Sequence, residues 1–136
     1  MLEFEGINYW AVVVAWLVNV MVGAWWYSPA GFGKRWSKLS GVDLMKLPQD
    51  EATKTISFVA LSALVQALTL ALIINSLGAS TVIEGFKIGF VLWLGLTAAT
   101  TVGNTLYQRL GWSFWWLNSS YFLLVMTVNS IILSIW

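Results

Sequence analysis

The chain has 136 residues, of which 59% are hydrophobic and only 10% are charged, and its mean hydropathy is +0.77. Soluble domains are about 45–50% apolar and about 25% charged, so this composition excludes a soluble domain and predicts an integral membrane protein. The absence of cysteine and histidine excludes disulfides, thiolate nucleophiles and the commonest metal ligands, and a net charge of +1 gives no basis for nucleic-acid binding.

Four apolar stretches are long enough to cross a bilayer core, which needs about 20 helical residues. The first stretch follows Glu3 and Glu5 instead of a positive segment, so we expect a retained span and not a cleaved signal peptide. Short connections predict antiparallel neighbours. We therefore predict an all-α polytopic membrane protein, a single bundle over residues 1–136, with spans at about 7–27, 53–77, 84–107 and 114–136.

The first loop carries an aromatic and basic segment, Trp25–Gly41. Pro29 and Gly31 end the first helix, and the residues after them alternate between an apolar and a basic face. This pattern predicts a short amphipathic helix at about residues 31–40 that lies in the membrane interface. Its apolar face comprises Phe32, Trp36 and Leu39, and its basic face comprises Lys34, Arg35 and Lys38.

Basic residues predict the orientation, because cytoplasmic loops carry an excess of Lys and Arg. The first loop and its flanks hold five (Lys34, Arg35, Lys38, Lys46 and Lys54), and the third loop holds Arg109. The opposite side holds only Lys87, which we expect to pair with Glu84 three residues earlier. We therefore predict a prokaryotic inner-membrane protein with both termini outside and the first and third loops in the cytoplasm.

Small residues recur at helical spacing and predict close helix packing, since van der Waals contact drives association in lipid. The glycines expected at helix contacts are Gly23, Gly85, Gly89, Gly95 and Gly103. The pattern leaves open whether Gly85 and Gly89 face their own bundle or a second copy. A homo-oligomer is expected, because one small bundle has little interior and the third span is rich in glycine.

Polar side chains within the spans are the candidates for function. They are Asn19, Gln66, Thr100, Asn104, Asn118 and Asn129. Such groups must find hydrogen-bond partners in lipid, so they either join helices or line a polar cavity for a small ligand. Trp16 and Trp93, near mid-membrane, are expected to pack between helices with their indole N–H groups paired.

The inventory of reactive groups argues against an enzyme. Ser28, Ser37 and Ser40 lie near Lys34 and Lys38, but no acid is placed to complete an acid–base arrangement. No ionisable residue lies at the centre of a span, which argues against a proton-coupled pump. We predict neither catalytic residues nor a cofactor nor a metal.

Several motifs resemble the domain of unknown function 1761 family of small four-span prokaryotic membrane proteins. Asn8 is followed by Trp26-Tyr27-x-Pro29 and then by Phe32-Gly33-Lys34-x-Trp36. Similar later features are Arg109, Asn118 with Tyr121, and Trp136. The resemblance covers nearly the whole chain, implies the four-span fold, brings no catalytic residues, and marks the first motif as the shared feature of the family.

Two functions remain open on the sequence. The recurring amides favour a small transport or channel-like protein with a polar interior. The aromatic and basic rim instead favours a structural, lipid-binding or accessory protein that contacts anionic headgroups. The rim comprises Trp26, Tyr27, Pro29, Gly33, Lys34, Arg35, Trp36 and Arg109. The expected partners are membrane lipids and a second copy of the chain, with a small-molecule ligand left open.

Overall fold

The protein consists of helices joined by short turns, in a computed structural model that describes residues 1–136. The helices are α1 (Tyr9–Trp26), α2 (Gly33–Ser40), α3 (Gln49–Leu77), α4 (Val82–Leu92), α5 (Ala99–Tyr107) and α6 (Gly111–Ile135). A 3₁₀ turn at Leu44–Lys46 precedes α3, and a π-helical segment at Trp93–Ala98 joins α4 to α5 in one continuous span. Four helices are long and apolar enough to cross a membrane, so the predicted all-α polytopic class is confirmed.

Local capping fixes where the helices begin and end. The side chain of Asn8 accepts hydrogen bonds from the backbone N–H groups of Trp10 and Ala11, at 3.1 and 3.2 Å, and so starts α1. Helix α3 begins at Gln49, four residues earlier than the apolar pattern alone predicts, because Pro48 precedes a first turn rich in acid. Gly78 ends it with a φ of +65°, where glycine is unstrained.

Helix α6 is the centre of the bundle. It packs against α1 and α3 on one side and against α4 and α5 on the other. Its fully buried positions include Val125, Asn129 and Ser130, whereas large side chains of the other helices are exposed to the surroundings. Helices α1 and α3 meet through a small core of Val12, Ala15, Ala67 and Ala71.

Two glycines bring α4 into backbone contact with α6. A Cβ atom at Gly85 would lie 2.7 Å from the Ser130 carbonyl, and one at Gly89 would lie 2.6 Å from the Met126 carbonyl. The hydroxyl of Ser134 donates to the Thr81 carbonyl at 3.0 Å and ties the ends of these helices together. Gly85 and Gly89 therefore face their own bundle, which settles the alternative that the sequence left open.

The π-helical segment rotates the second half of the third span. Gly89 and Trp93 face α6, and the next buried residue is Ala98, five positions on and not three or four. One extra residue in a turn shifts the helix face by about 100°. Thr105 consequently faces inward, whereas Thr100 and Asn104 are exposed.

The interior placement predicted for Thr100 and Asn104 is therefore wrong, because it assumed a regular helix. The same rotation takes Gly103 away from the bundle, whereas Gly95, two residues after Trp93, would face outward in a regular helix as well. No atom lies within 4 Å of a Cβ built at either position. Neither glycine makes the helix contact expected within this chain. An outward face of small and polar residues results, formed by Gly95, Ala99, Thr100, Gly103 and Asn104.

The ion pair expected between Glu84 and Lys87 is absent. The Glu84 carboxylate accepts hydrogen bonds from the backbone N–H groups of Ser80 and Thr81, and the Thr81 hydroxyl accepts one from Glu84 N. This capping box starts α4, and the Glu84 carboxylate binds backbone N–H groups there instead of pairing with Lys87. The only ion pair in the chain joins Lys46 and Asp43 at 3.9 Å.

Both mid-span tryptophans find the partners that were expected of them. Trp16 Nε1 donates to the Ala60 carbonyl and joins α1 to α3, at 2.8 Å. Trp93 Nε1 donates to the Ser119 carbonyl, also at 2.8 Å, and fixes the π-helical segment to α6. The two indoles therefore join helices on opposite sides of the bundle.

Candidate functional site

Aromatic rings hold α2 across one end of the bundle, which we call the α2 end. The Trp36 ring lies 6.0 Å from Tyr27 and 6.2 Å from Phe114 of α6, centroid to centroid. Phe32 packs on Trp26 at 4.6 Å. These contacts hold the apolar face of α2 against α1 and α6, with Trp36 half-buried and Phe32 still partly exposed, and the basic residues of α2 are exposed.

A tight turn between α1 and α2 explains the glycines of the motif. The backbone N–H of Phe32 donates to the Trp26 carbonyl at 2.7 Å, and that of Gly33 donates to the Ser28 carbonyl at 2.9 Å. A Cβ on Gly33 would lie 2.7 Å from the Ser28 oxygen, and one on Gly31 would lie 3.0 Å from the Trp26 oxygen. Only glycine fits this chain reversal, which sets the direction of α2.

One polar pair lies directly beneath this turn. The hydroxyl of Tyr27, the residue after α1, donates to Asn118 Oδ1 at 2.6 Å. Burial raises the pKa of Tyr27 well above its usual range, and the nearby Tyr121 raises it further, so the phenol stays protonated as a donor. The pair joins the start of α6 to the end of α1.

A second polar cluster joins three helices at greater depth. Asn19 Nδ2 donates to Gln66 Oε1 at 2.9 Å, and the Tyr121 hydroxyl donates to Asn19 Oδ1 at 2.6 Å. Gly23 makes room for this hydroxyl, because a Cβ there would lie 2.9 Å from it. Three of the predicted amides (Asn19, Gln66 and Asn118) are therefore used in direct contacts between helices.

Asn129 differs from the other buried amides. Its side chain is fully buried, at 0% exposure, yet neither Oδ1 nor Nδ2 has a hydrogen-bond partner. The Ser130 hydroxyl beside it is also buried without a partner. The six candidate polar residues thus divide into three that are paired, one that is buried and unpaired, and two that face outward. They do not form one continuous lining.

Two cavities lie at opposite ends of the bundle. The one at the α2 end has a volume of about 250 Å³. Four of its lining residues belong to the first motif, Tyr27, Pro29, Gly33 and Lys34, and the others include Ser37 and Asp43. The other cavity has about 230 Å³ and lies at the end that carries residues 1–8 and Trp136, which we call the termini end.

Four basic side chains at the α2 end have no acidic partner, whereas Lys46 pairs with Asp43. Lys34, Arg35, Lys38 and Arg109 are exposed, and none makes an ion pair. Arg109 has a φ of +60° in the turn before α6, a left-handed conformation that favours glycine. The Arg109 side chain donates no hydrogen bond within the chain. No three acidic side chains are grouped as metal ligands.

Together these features define a class: a polytopic α-helical membrane protein with a basic amphipathic helix fixed across one end by aromatic side chains. A family model described as "Protein of unknown function (DUF1761)" matches residues 10–134. The chain belongs to this family, as its motifs indicated. The comparison with curated proteins found no match, and the comparison with solved structures found none either.

Sequence reasoning missed several residues that shape these sites. Tyr121 stood out only as part of a resemblance, yet it completes the cluster around Asn19. Asp43 and Leu44 line the cavity at the α2 end, although they follow the predicted amphipathic helix. Trp115 Nε1 donates to Ala98 O and Thr101 Oγ1 at the end of the π-helical segment. Helical periodicity in the sequence assumes regular turns, so it could not predict the π-helical turn or its contact with Trp115.

Proposed function

We propose that this protein is a non-enzymatic structural or accessory membrane protein whose α2 end binds the headgroups of anionic lipids. The observation that carries the proposal is the set of unpaired cations on a rigidly held interfacial helix. Lys34, Arg35 and Lys38 have no acidic partner, and the contacts of Trp36 and Phe32 leave these three facing outward. Unpaired cations at a membrane surface are attracted to anionic lipid.

The expected electrostatic attraction is large enough for the protein to prefer anionic lipids over uncharged ones. A basic residue near an anionic membrane surface contributes about 1 kcal/mol, so Lys34, Arg35, Lys38 and Arg109 together contribute about 4 kcal/mol at low salt. The attraction is screened by salt over a length of about 10 Å at 0.1 M. Preference for anionic lipid should therefore weaken as salt concentration rises.

Arg109 adds a separate argument. A non-glycine residue in the left-handed region costs about 1–2 kcal/mol. Its guanidinium makes no ion pair and donates no hydrogen bond within the chain, so no polar contact there offsets this cost. We infer that the arginine is retained for a contact outside the chain, and a lipid phosphate suits its planar, bidentate donors.

The proposed orientation follows from the same cations. We propose that the α2 end faces the cytoplasm of a prokaryotic inner membrane and that both termini lie outside, since basic loops stay in the cytoplasm. Single cysteines at Ser40 and at Ser80, in a chain that has none, can be labelled with a membrane-impermeant maleimide. Labelling of Ser40→Cys from outside intact cells would contradict the orientation.

The test of lipid binding compares charge removal at the two ends of the bundle. The variant with Lys34→Gln, Arg35→Gln and Lys38→Gln is placed in nanodiscs of mixed phosphatidylglycerol and phosphatidylcholine, and retained lipid is counted by native mass spectrometry. We expect enrichment of phosphatidylglycerol around the wild type and its loss in the variant. Lys87→Gln is the control, because it removes one cation from the other end.

Two outcomes would reject the proposal. One is equal enrichment of phosphatidylglycerol in the wild type and in the triple variant. The other is loss of enrichment in Lys87→Gln to the same extent. Arg109→Gly extends the comparison: we expect unfolding stability to be kept or raised, because strain is removed, while lipid enrichment falls.

A second candidate function is the passage of a small uncharged solute. The observation that favours it is the unpaired Asn129 between the two end cavities, along the face of α6 that also carries Tyr121 and Val125. Proteoliposome swelling with glycerol or urea tests this function. Swelling at the rate of empty liposomes would reject it, and an Asn129→Leu variant that swells like the wild type would reject the role of this amide.

We also propose that a second copy of the chain binds the outward face of the third span. Gly95, Ala99 and Gly103 leave open space for close helix approach, and the exposed Asn104 amide has no partner within the chain. An amide donates and accepts, so two Asn104 side chains related by a two-fold axis can pair with each other. Small residues with such a polar group are typical of helix contacts in membranes.

A further inference from the structure

The cavity at the termini end lies between α1, α3 and α6. Its lining is mixed: the apolar side chains include Ala71, Ile74 and Leu133, and the polar ones are Asn8, Asn75 and Ser134. No Asp, Glu, Lys or Arg side chain lines it. A volume of about 230 Å³ is ample for a small molecule or several waters, and the lining favours an uncharged occupant.

The N-terminal segment is fastened beside this cavity. Asn75 Nδ2 donates to the carbonyls of Glu3 and Glu5, at 2.7 and 2.9 Å, and Glu3 N donates to the Ser76 hydroxyl at 2.7 Å. These bonds hold Gly6 in place as part of the cavity wall. Hydrogen bonds between the N-terminal segment and α3 therefore fix the position of this part of the cavity wall.

Asn129 lies one helical turn below Leu133 on the same face of α6, since residues four apart are stacked on a helix. Leu133 lines the cavity and packs against the core of Val12, Ala15, Ala67 and Ala71. This core contains three alanines, and the larger side chains of Ile7, Trp16 and Leu64 pack against it as well. Leu133 lines the cavity, whereas Asn129, one turn further along α6, does not.

A buried amide without partners is costly. Leaving a donor or acceptor unsatisfied costs about 1–3 kcal/mol for each group, and water cannot relieve it from the lipid side. Both Asn129 groups are unpaired at 0% exposure, whereas Asn19 and Asn118 are paired. A molecule that both donates and accepts hydrogen bonds would relieve both groups at once.

We propose that the cavity at the termini end is a binding site for a small, uncharged, hydrogen-bonding molecule, with water as its simplest occupant. The Asn129 carboxamide forms its polar inner end, and the Leu133 side chain separates this end from the outer part. The site does not involve the cations of the α2 end, so it stands or falls independently of lipid binding.

Cysteine reactivity tests whether polar molecules reach Asn129. The chain has no cysteine, so the thiol introduced by Asn129→Cys is the only one that can react. Ser119→Cys is the control, because Ser119 is also buried but lies in the other half of α6, where its backbone carbonyl accepts a hydrogen bond from Trp93. The probe is hydroxyethyl methanethiosulfonate, a small uncharged reagent, and adducts are counted by mass spectrometry. The reagent attacks the thiolate, which forms where water is present.

We expect Asn129→Cys to react about 100-fold faster than Ser119→Cys, because only Asn129 lies one helical turn from residues that line the cavity. Adding Leu133→Ala should accelerate the reaction of Asn129→Cys and leave Ser119→Cys unchanged. Equal rates for the two cysteines would overturn the proposal, and so would a Leu133→Ala variant that changes neither.

The wild type provides a second measurement in case a cysteine variant does not fold. Hydrogen–deuterium exchange of asparagine side-chain amides can be followed by NMR after selective ¹⁵N labelling. We expect the Asn129 amide to exchange faster than that of Asn19, although both are buried. Slower or equal exchange at Asn129 would show that no water reaches it and would overturn the proposal.

Discussion

At the scale of single residues, identical side chains have different roles because of the partners that the fold brings to them. Asn19 and Asn104 both lie within apolar spans, Asn19 between two valines and Asn104 between Gly103 and Thr105. The structure pairs Asn19 with Gln66 and Tyr121 across three helices, and it turns Asn104 outward without a partner. The first should contribute to stability within the chain and the second should not.

Asn19→Leu is therefore expected to lower the free energy of unfolding by about 1–3 kcal/mol, because Gln66 and the Tyr121 hydroxyl lose their partner in a buried site. Asn104→Leu should leave it unchanged in a dilute, monomeric sample. Unfolding of both variants in mixed micelles by a denaturing detergent measures the difference. Equal losses in the two variants would show that the Asn19 cluster does not stabilise the bundle.

At the scale of helices, the glycines of the third span separate into two groups. A Cβ at Gly89 would meet the backbone of α6, whereas one at Gly95 would meet no atom within 4 Å. Overpacking costs about 1–3 kcal/mol, so Gly89→Ala should destabilise the bundle by this amount, and Gly95→Ala should not. The thermal unfolding of the two variants in detergent compares them directly. Similar melting of both would contradict the proximity of α4 and α6.

The π-helical segment allows a stricter test. Deleting exposed Leu96 leaves Trp93 and Ala98 four positions apart, the spacing of a regular α-helix, so both faces that contact α6 are kept. We expect the deletion variant to fold and to keep its melting temperature. Deleting exposed Leu124 from regular α6 rotates one half of that helix by about 100° and should prevent folding. Near-ultraviolet circular dichroism of the tryptophans distinguishes the two.

The opposite result would be informative about the segment. If the Leu96 deletion unfolds the protein while Gly95→Ala does not, the π turn itself is needed for packing. The contact of Trp115 would then explain why the π turn is needed, because its indole N–H donates to both Ala98 O and Thr101 Oγ1. A regular helix would have to present these two oxygens differently to the same indole.

At the scale of the whole molecule, the sequence was sufficient for the class, the four spans and the amphipathic helix. These follow from composition, length and the alternation of Phe32 and Trp36 with basic residues, which are local properties. The sequence was insufficient to predict which way Thr100, Asn104 and Gly103 face, because the extra residue of the π-helical turn has no marker in composition. It could not separate paired from unpaired amides either, since Asn118 and Asn129 differ only in what lies across the helix contact.

Self-association is the prediction that belongs to this scale. Gly103→Leu should not affect the fold of one chain, because the position is open, but it should block close approach of a second copy. Chemical crosslinking in native-like vesicles is expected to yield dimers for the wild type and to lose them in Gly103→Leu. The control is Ala24→Leu, an exposed small residue of α1. Dimers that persist in Gly103→Leu would place the contact elsewhere.

The central position of α6 has a consequence for how the protein is made. Helices α4 and α5 have little contact with α1 and α3, and α6 joins the two pairs. In the order of the chain, α6 leaves the ribosome after the other spans. Until then, Asn19 has Gln66 but lacks Tyr121, and Gly85 and Gly89 have no helix to meet. Helices α1 and α3 can pair before α6 is made, but α4 and α5 can join that pair only after α6 has been inserted.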